Sequence, residues 1–184
     1  MNNIKKLPDN LINQIAAGEV IERPSSALKE LIENSIDAGA SKISISLSEG
    51  GKTLIEVIDD GMGMNLHDLK MCLERHATSK INDGDLVHIN SLGFRGEALP
   101  SIGSIANLAI ESYDKLKDEA WKISIINNKK NIEPSLIRFG TKVTITDLFL
   151  KVPARLKFMK TNATEIRYCK EVVKHLAMSH PKIS

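Results

Sequence analysis

Cysteine is almost missing from this chain. Its 184 residues hold two, Cys72 and Cys169, at no spacing used by zinc or redox motifs, which excludes a disulfide scaffold and leaves buried or free thiols. Long apolar runs are missing too. None approaches the roughly 20 residues that cross a bilayer, and the opening "MNNIKKLPDN" lacks the apolar stretch of a secretion signal. The chain therefore reads as cytoplasmic, with no membrane partner. Five histidines, His67, His76, His88, His175 and His180, fall in no HExxH or other ligand spacing. Charge of one sign is not in excess overall, at net +2, but residues 151–184 carry eight Lys/Arg against two Asp/Glu. That asymmetry suits a solvated basic helix face or an anionic partner, and an aromatic content of only 4% weighs against a nucleic-acid surface there.

What is present, at 42% hydrophobic content, suits one globular domain that buries roughly 70% of its unfolded surface. "LINQIAAG" is a short helical pattern closed by Gly18. A second helix opens at "RPSSALKE", with Pro24 in its first turn, and stops at Gly39. "KISISLS" and "TLIEVID" alternate apolar and polar residues around "EGG", which predicts a hairpin over 42–58. Asn65 and Asp68 can cap a helix to about Arg75. Residues 76–96 then lose periodicity, and a loop that long is usually functional. "ANLAIESY", "EAWKISIIN", "NIEPSLIRF" and "GTKVTITDL" read as strands. A last helix from Thr161 places Ile166, Cys169, Val173 and Leu176 on one face, and the final "HPKIS" looks like the start of another strand. The sum is an α+β, two-layer sandwich with helices on one face of a mixed, mostly antiparallel sheet.

Two familiar patterns fail on context. "SLSEGGKT" ends like a phosphate-binding P-loop but has Ser46 where the first glycine belongs, and it joins two strands instead of opening a helix. "DDGMGMNLHDL" has the outline of a calcium loop, yet Gly61 and Gly63 stand where oxygen ligands are needed.

A different constellation remains. In "KELIENSIDAG", Glu30, Glu33, Asn34 and Asp37 share about a third of the helix circumference, with Leu28, Leu31, Ile32 and Ser35 on the other side. Glu30 can act as general base on water, and Asn34, one turn on, offers a neutral oxygen to a magnesium ion that keeps several waters. Glu33 sits at the edge of that arc and suits a helix-surface ion pair. Asp59 ends an apolar strand, where a carboxylate can accept from an exocyclic amine, while Gly61 and Gly63 let a flat ring approach the backbone. In "LGFRGEAL", Gly93 and Gly96 can turn successive N–H groups toward one anion at a helix start, with Lys80 and Arg95 adding charge.

The stretches "NQIAAGEVIERPSSALKELIENSIDAGA", "DDGMGM", "RHATSKI", "LGFRGEAL" and "GTKVTITDLF" closely resemble the N-terminal ATPase region of the MutL family of DNA mismatch-repair proteins, within the GHKL group. The likeness runs from about residue 7 to 180. It implies the Bergerat fold, an eight-stranded mixed sheet backed by helices, with ATP and Mg2+ held under a mobile lid. Carried across by motif, Glu30 activates water, Asn34 binds magnesium, Asp59 contacts the adenine amine, and Thr141 assists through water. Asp37, Ala38, Gly63 and Met64 line the adenine pocket. Thr78, Ser79, Lys80, Gly93, Phe94, Arg95, Gly96, Ala98 and Leu99 belong to the lid around the phosphates.

The resemblance further implies that residues 1–184 are one GHKL domain of a longer protein, with a transducer-like second domain and a C-terminal dimerisation domain beyond. Its partners are then a second copy, in a nucleotide-dependent homodimer, a mismatch-recognition protein of the MutS type, and a downstream repair endonuclease or helicase. DNA is met mainly through the other domains. Sensor kinases and topoisomerase subunits share the group and are the alternative reading. Three stretches depart from the family: in "DDGMGM" Asp60 adds a charge beside the pocket where asparagine is common and Met64 replaces a branched residue, Pro100 follows "GEAL" where a small residue is usual, and "KVPAR" has Lys151 and Val152 in place of the Asn and Thr of "NTPAR".

Overall fold

Alternating aliphatic and polar residues build the sheet. The computed structural model describes residues 5, 7–75, 77–78 and 96–184. In it, β1 (Ile43–Ser48) and β2 (Leu54–Asp59) form the expected hairpin through a 3₁₀ turn at Glu49–Gly51, and β3 (Asn107–Asp114), β4 (Glu119–Ile126), β5 (Lys129–Pro134) and β6 (Thr141–Thr146) follow. Neighbours in space run β1-β2-β6-β3-β4-β5, with every pairing antiparallel. Parallel character enters at Ser184, whose N–H donates to Ser41 O (3.0 Å) and whose carbonyl accepts from Ile43 N–H (2.9 Å). Residues 180–183 of "HPKIS" form a turn instead of the expected strand, and Ser184 alone bonds beside β1. Six strands, against the eight the resemblance implies, lie among the described residues.

The register lines up side chains in transverse rows. Ile45, Val57, Val143, Ile110, Ile123 and Ile132 oppose one another from β1 across to β5 on one face, and this apolar face carries the helices. On the opposite face Lys142, Glu111, Lys122 and Glu133 form a row of alternating charge, joined by Lys122–Glu133 (3.0 Å) and Lys142–Glu111 (3.9 Å) ion pairs. One wet face and one covered face are the usual solution for an antiparallel sheet.

The covering layer contains α1 (Asp9–Val20), α2 (Pro24–Asp37), α3 (Leu66–Met71), α4 (Ala98–Ile105), α5 (Pro153–Leu156) and α6 (Asn162–Ser179). Two starts follow their capping residues: Asn65 accepts from Asp68 N–H (2.9 Å) and Thr161 from Thr164 N–H (3.3 Å). Pro100 falls in the first turn of α4, where no intrahelical N–H is lost. Two ends differ from the sequence reading. Gly18 does not close α1, which continues to Val20. The helix after Asn65 stops at Met71, because Glu74 N–H turns back onto Met71 O in a tighter, three-residue bond. Leu28, Leu31, Ile55, Leu108, Ile110, Ile145 and Phe149 are fully or almost fully buried between the layers.

Truncating a core side chain should separate the two faces energetically. Ile110→Ala is expected to cost about 2–5 kcal/mol in urea denaturation, and Lys142→Ala, on the wet face, less than about 1 kcal/mol. Similar losses from both would contradict the assignment of faces.

Candidate functional site

At one end of the sheet the apolar face turns polar. The transverse row there reads Ile43, Asp59, Thr141, Ser112, Trp121 and Pro134, so three polar groups occupy the centre of a row that would otherwise continue the core. Asp59 is 5% exposed. Its Oδ2 accepts from Ser35 Oγ (2.8 Å), and its Oδ1 accepts from the N–H groups of Gly61 (3.0 Å) and Thr141 (3.2 Å). A carboxylate offers about four lone-pair positions, so one acceptor position on Oδ2 is left. Burial pushes the Asp59 carboxyl above its ordinary value, opposed by the bonds from Ser35, Gly61 and Thr141, with the nearby Asp60 charge adding to the rise.

Beside Asp59, Ser112 Oγ receives the Met64 N–H (2.7 Å) and sits 3.0 Å from Thr141 Oγ1. Met62 N–H donates to Ala38 O (2.9 Å), fastening the "DDGMGM" turn to the end of α2. Glycine is required twice in that turn. A Cβ on Gly61 would come within 2.9 Å of Ala38, and Gly63 adopts φ +72° with its α-carbon against the Tyr113 carbonyl. The structure thereby brings together Ala38, Asp59, Gly61, Met64, Ser112 and Thr141 in one polar cluster at the end of the sheet.

Along α2, Glu30, Asn34, Asp37 and Ala38 are all half-buried and share one side of the helix, while Glu33 is tied to Lys29 (3.1 Å) as a helix ion pair. Asp60 adds its charge beside Asp59, while its carboxylate turns to the residues before β1, accepting from Ser41 Oγ, Lys42 N (2.8 Å) and Ser41 N (2.7 Å), and these bonds hold its pKa down to about 2. Gly96 (φ +61°) packs against the Ala77 backbone, which joins "HATSK" to the start of α4, where Ala98 and Leu99 are half-buried beside Thr78's segment. Ser79, Lys80, Gly93, Phe94 and Arg95 lie outside the described residues. Among the described residues no group of three or more His, Cys, Asp or Glu could by itself cage a metal. An apolar groove of about 450 Å³ between β1 and α6, lined by Ile45, Leu47, Ile166, Cys169, Val173 and two lysines, offers no such convergence of polar groups.

Two residues of the site escape the sequence reading. Ser35 falls on the apolar side of α2, and Ser112 is one serine in an ordinary strand. The one signal for Ser35 is a hydroxyl on a stripe otherwise buried, which must find an internal partner.

The fold belongs to an ATPase class. The chain belongs to the family described as histidine kinase-, DNA gyrase B-, and HSP90-like ATPase, which matches residues 21–145. Within it the relatives that the chain matches are MutL proteins. It is 52% identical over 183 residues to the DNA mismatch repair protein MutL of Paramagnetospirillum magneticum, covering 99% of this chain and 30% of that one. It is likewise 52% identical over 182 residues to MutL of Bradyrhizobium sp., covering 98% and 30%. The chain thus spans about 30% of the length of these curated relatives. Among solved structures, the Aquifex aeolicus MutL ATPase domain complexed with ADP superposes with a TM-score of 0.73 at 30% identity, over 89% of this chain and 58% of that one. No helix among the described residues is long and apolar enough to cross a membrane.

The two neighbouring aspartates should leave opposite marks on acid unfolding. Asp60, with its folded pKa lowered, contributes stability above its unfolded value of 3.8 and loses it as pH falls through about 2. Asp59, with its folded pKa raised, contributes most below its unfolded value and less as pH rises through the folded one. The stability difference between wild type and Asp60→Ala, read as urea midpoints, should therefore be present at pH 5 and shrink toward pH 2. A difference constant across that range would contradict the Asp60 contacts.

Proposed function

We propose that this domain binds ATP with Mg2+ and hydrolyses it, and that the longer protein uses the cycle as a dimerisation switch in DNA mismatch repair. The observation that carries the reading is the Asp59 carboxylate, buried at the end of the sheet, which among the described residues accepts three hydrogen bonds and has capacity for a fourth. An exocyclic amine supplies a further donor to Asp59, beside a turn whose two glycines let the chain pack closely on Ala38 and Tyr113. The ADP complex of the Aquifex aeolicus neighbour supports a nucleotide as the occupant.

The roles follow from position. Asp59 holds the adenine amine, Thr141 and Ser112 order water beside it, and Asp37, Ala38, Gly63 and Met64 wall the base. Glu30, about two turns before Asp37 on the same side of α2, takes the proton of the water that attacks the terminal phosphorus as the bond to the ADP oxygen breaks. Asn34, one turn from Glu30, fits a magnesium ion that retains most of its waters, and a single neutral oxygen agrees with a site that has no carboxylate cage. When bound, the ion neutralises phosphate charge. Thr78, Ser79, Lys80 and residues 93–99 close over the phosphates, and the amino end of α4 favours their charge.

In the longer protein, nucleotide brings two copies together and hydrolysis releases them. This relays mismatch recognition by a MutS-type protein to a repair endonuclease or helicase, with DNA held mainly by other domains. Isolated residues 1–184 should hydrolyse ATP slowly, since phosphoryl transfer depends on cations gathered around the terminal phosphate.

Two substitutions separate binding from chemistry. Glu30→Ala should keep ATP binding while turnover at saturating ATP falls by roughly 10²–10⁴, the usual share of a general base; unchanged turnover would reject the role. Asp59→Asn should keep the fold, because Oδ1 still receives Gly61 and Thr141 and the new amide can donate to Ser35 Oγ, whose proton turns to Leu31 O (3.2 Å). It should lose the nucleotide, because a donor then faces the adenine amine. Wild type with ligand at 100 times its dissociation constant gains about 2.7 kcal/mol, and an equal thermal shift in Asp59→Asn would sink the adenine assignment. Transfer of phosphate to the protein instead of release would favour the sensor-kinase reading.

A further inference from the structure

The "KVPARLKF" stretch does work that the nucleotide site does not account for. Neither α1 nor α4 carries a basic residue in its last turn, although a cation there would oppose the negative end of the helix dipole and satisfy open carbonyls. Both cations arrive from outside. Arg155 donates from Nη2 to Gly18 O (2.8 Å) and from Nη1 to Ile21 O (3.0 Å), with its guanidinium 5.9 Å from the centre of the Phe149 ring. Lys151 donates from Nζ to Gly103 O (2.8 Å), and its backbone N–H reaches Ile105 O (3.4 Å). One short segment therefore grips the carboxyl ends of two helices that pack on each other, with Ser104 Oγ also reaching Asn13 O (3.4 Å).

Gly18 belongs to this device. A Cβ there would collide with the Arg155 guanidinium, which explains a glycine inside a helix that it does not terminate. The corner that follows is held as well: Ile21 is fully buried, and Arg23, before α2, stacks on Tyr168 (4.5 Å) and faces the buried Glu165 (3.8 Å). Arg155 is thus tied to the approach to the helix that bears Glu30, and Lys151 to the helix whose other end opens after Gly96–Glu97.

We propose that Lys151 and Arg155 are positioning residues that clasp α4 and α1 by their carboxyl ends, so that nucleotide at the amino end of α4 fixes the placement of α1. The inference rests on the ATP reading of the site above. It gives the lysine of "KVPAR" a definite task, and it makes α1, whose Leu11, Ile12 and Ile15 are exposed, answer to the phosphates without touching them.

The test is hydrogen exchange on the full-length protein with and without magnesium and a non-hydrolysable ATP analogue, for wild type, Arg155→Ala, Arg155→Lys, Lys151→Met and Gly18→Ala. In wild type the analogue should slow exchange across residues 9–20. In Arg155→Ala and Gly18→Ala that segment should exchange about tenfold faster without ligand and lose most of its response to the analogue, while α6 keeps its wild-type protection. Lys151→Met should keep the ligand-free protection of α1 but blunt its response. Arg155→Lys should fall between, since one ammonium does not span both carbonyls as a guanidinium fork does.

Gly18→Ala is the sharpest arm. By helix propensity alone alanine would slow exchange in α1, so slower exchange overturns the clasp. So does an undiminished response to the analogue in Arg155→Ala, or an equal loss of protection in α6, which would mean that Arg155 only holds up the fold. Wild-type protection by the analogue at residues 35–64 but not at α1 also counts against the clasp. Protection at neither place counts against the nucleotide reading.

Discussion

The buried carboxylate of Asp59 is the constraint around which the domain is arranged. Removing a carboxylate from water costs several kcal/mol unless donors replace the solvent, and here they come from three separate parts of the chain: Ser35 on α2, Gly61 in the turn after β2, and Thr141 at the start of β6. Meeting that demand fixes helix, turn and central strand against one another to hydrogen-bond accuracy. An isoleucine in the same row would satisfy the core more cheaply. Under the proposed function the charge is a preorganised acceptor, which discriminates by the group it would otherwise leave unpaired.

The rest of the architecture serves that end of the sheet. Rows of Ile, Val and Leu join the sheet to the helices, and their burial supplies the stability that a desolvated charge takes away. The opposite face is held by cross-strand ion pairs such as Lys142–Glu56 (3.3 Å), which add little individually because water screens them but keep the face soluble. The Asp59 cluster thus lies where the apolar rows end.

How much of this was legible depends on how far each partner lies along the chain. The alternation of Ile43, Ile45 and Leu47, the caps at Asn65 and Thr161 and the polar stripe of α2 are local signals, and each has its counterpart in the fold. The six-strand order was not legible, because nothing in β2 names β6 as its neighbour. Ser35 and Ser112 were missed for the same reason: a serine becomes informative only once the carboxylate or hydroxyl it meets is known. The Asp60 charge beside Asp59 is legible from adjacency, whereas the capture of its short side chain by the backbone of Ser41 and Lys42 is a contact across 18 to 19 residues that composition does not reveal. Gly18 had the look of a helix stop, and only the distant Arg155 shows why it is there. The lid residues Ser79, Lys80, Gly93, Phe94 and Arg95 stay with the motifs that suggested them.

The hydrogen bond between Thr141 and Asp59 joins residues 82 apart in sequence, and it has a kinetic meaning. Pairings between distant segments carry a loop-closure cost that local hairpins such as β3–β4 and β4–β5 avoid, so chains that depend on them fold slowly. The β2–β6 seam is therefore expected to close after the local hairpins. A ligand that fits only the closed seam draws the population toward the finished fold by mass action. For a chain weakened by mutation, any ligand held at that seam would restore part of the lost stability.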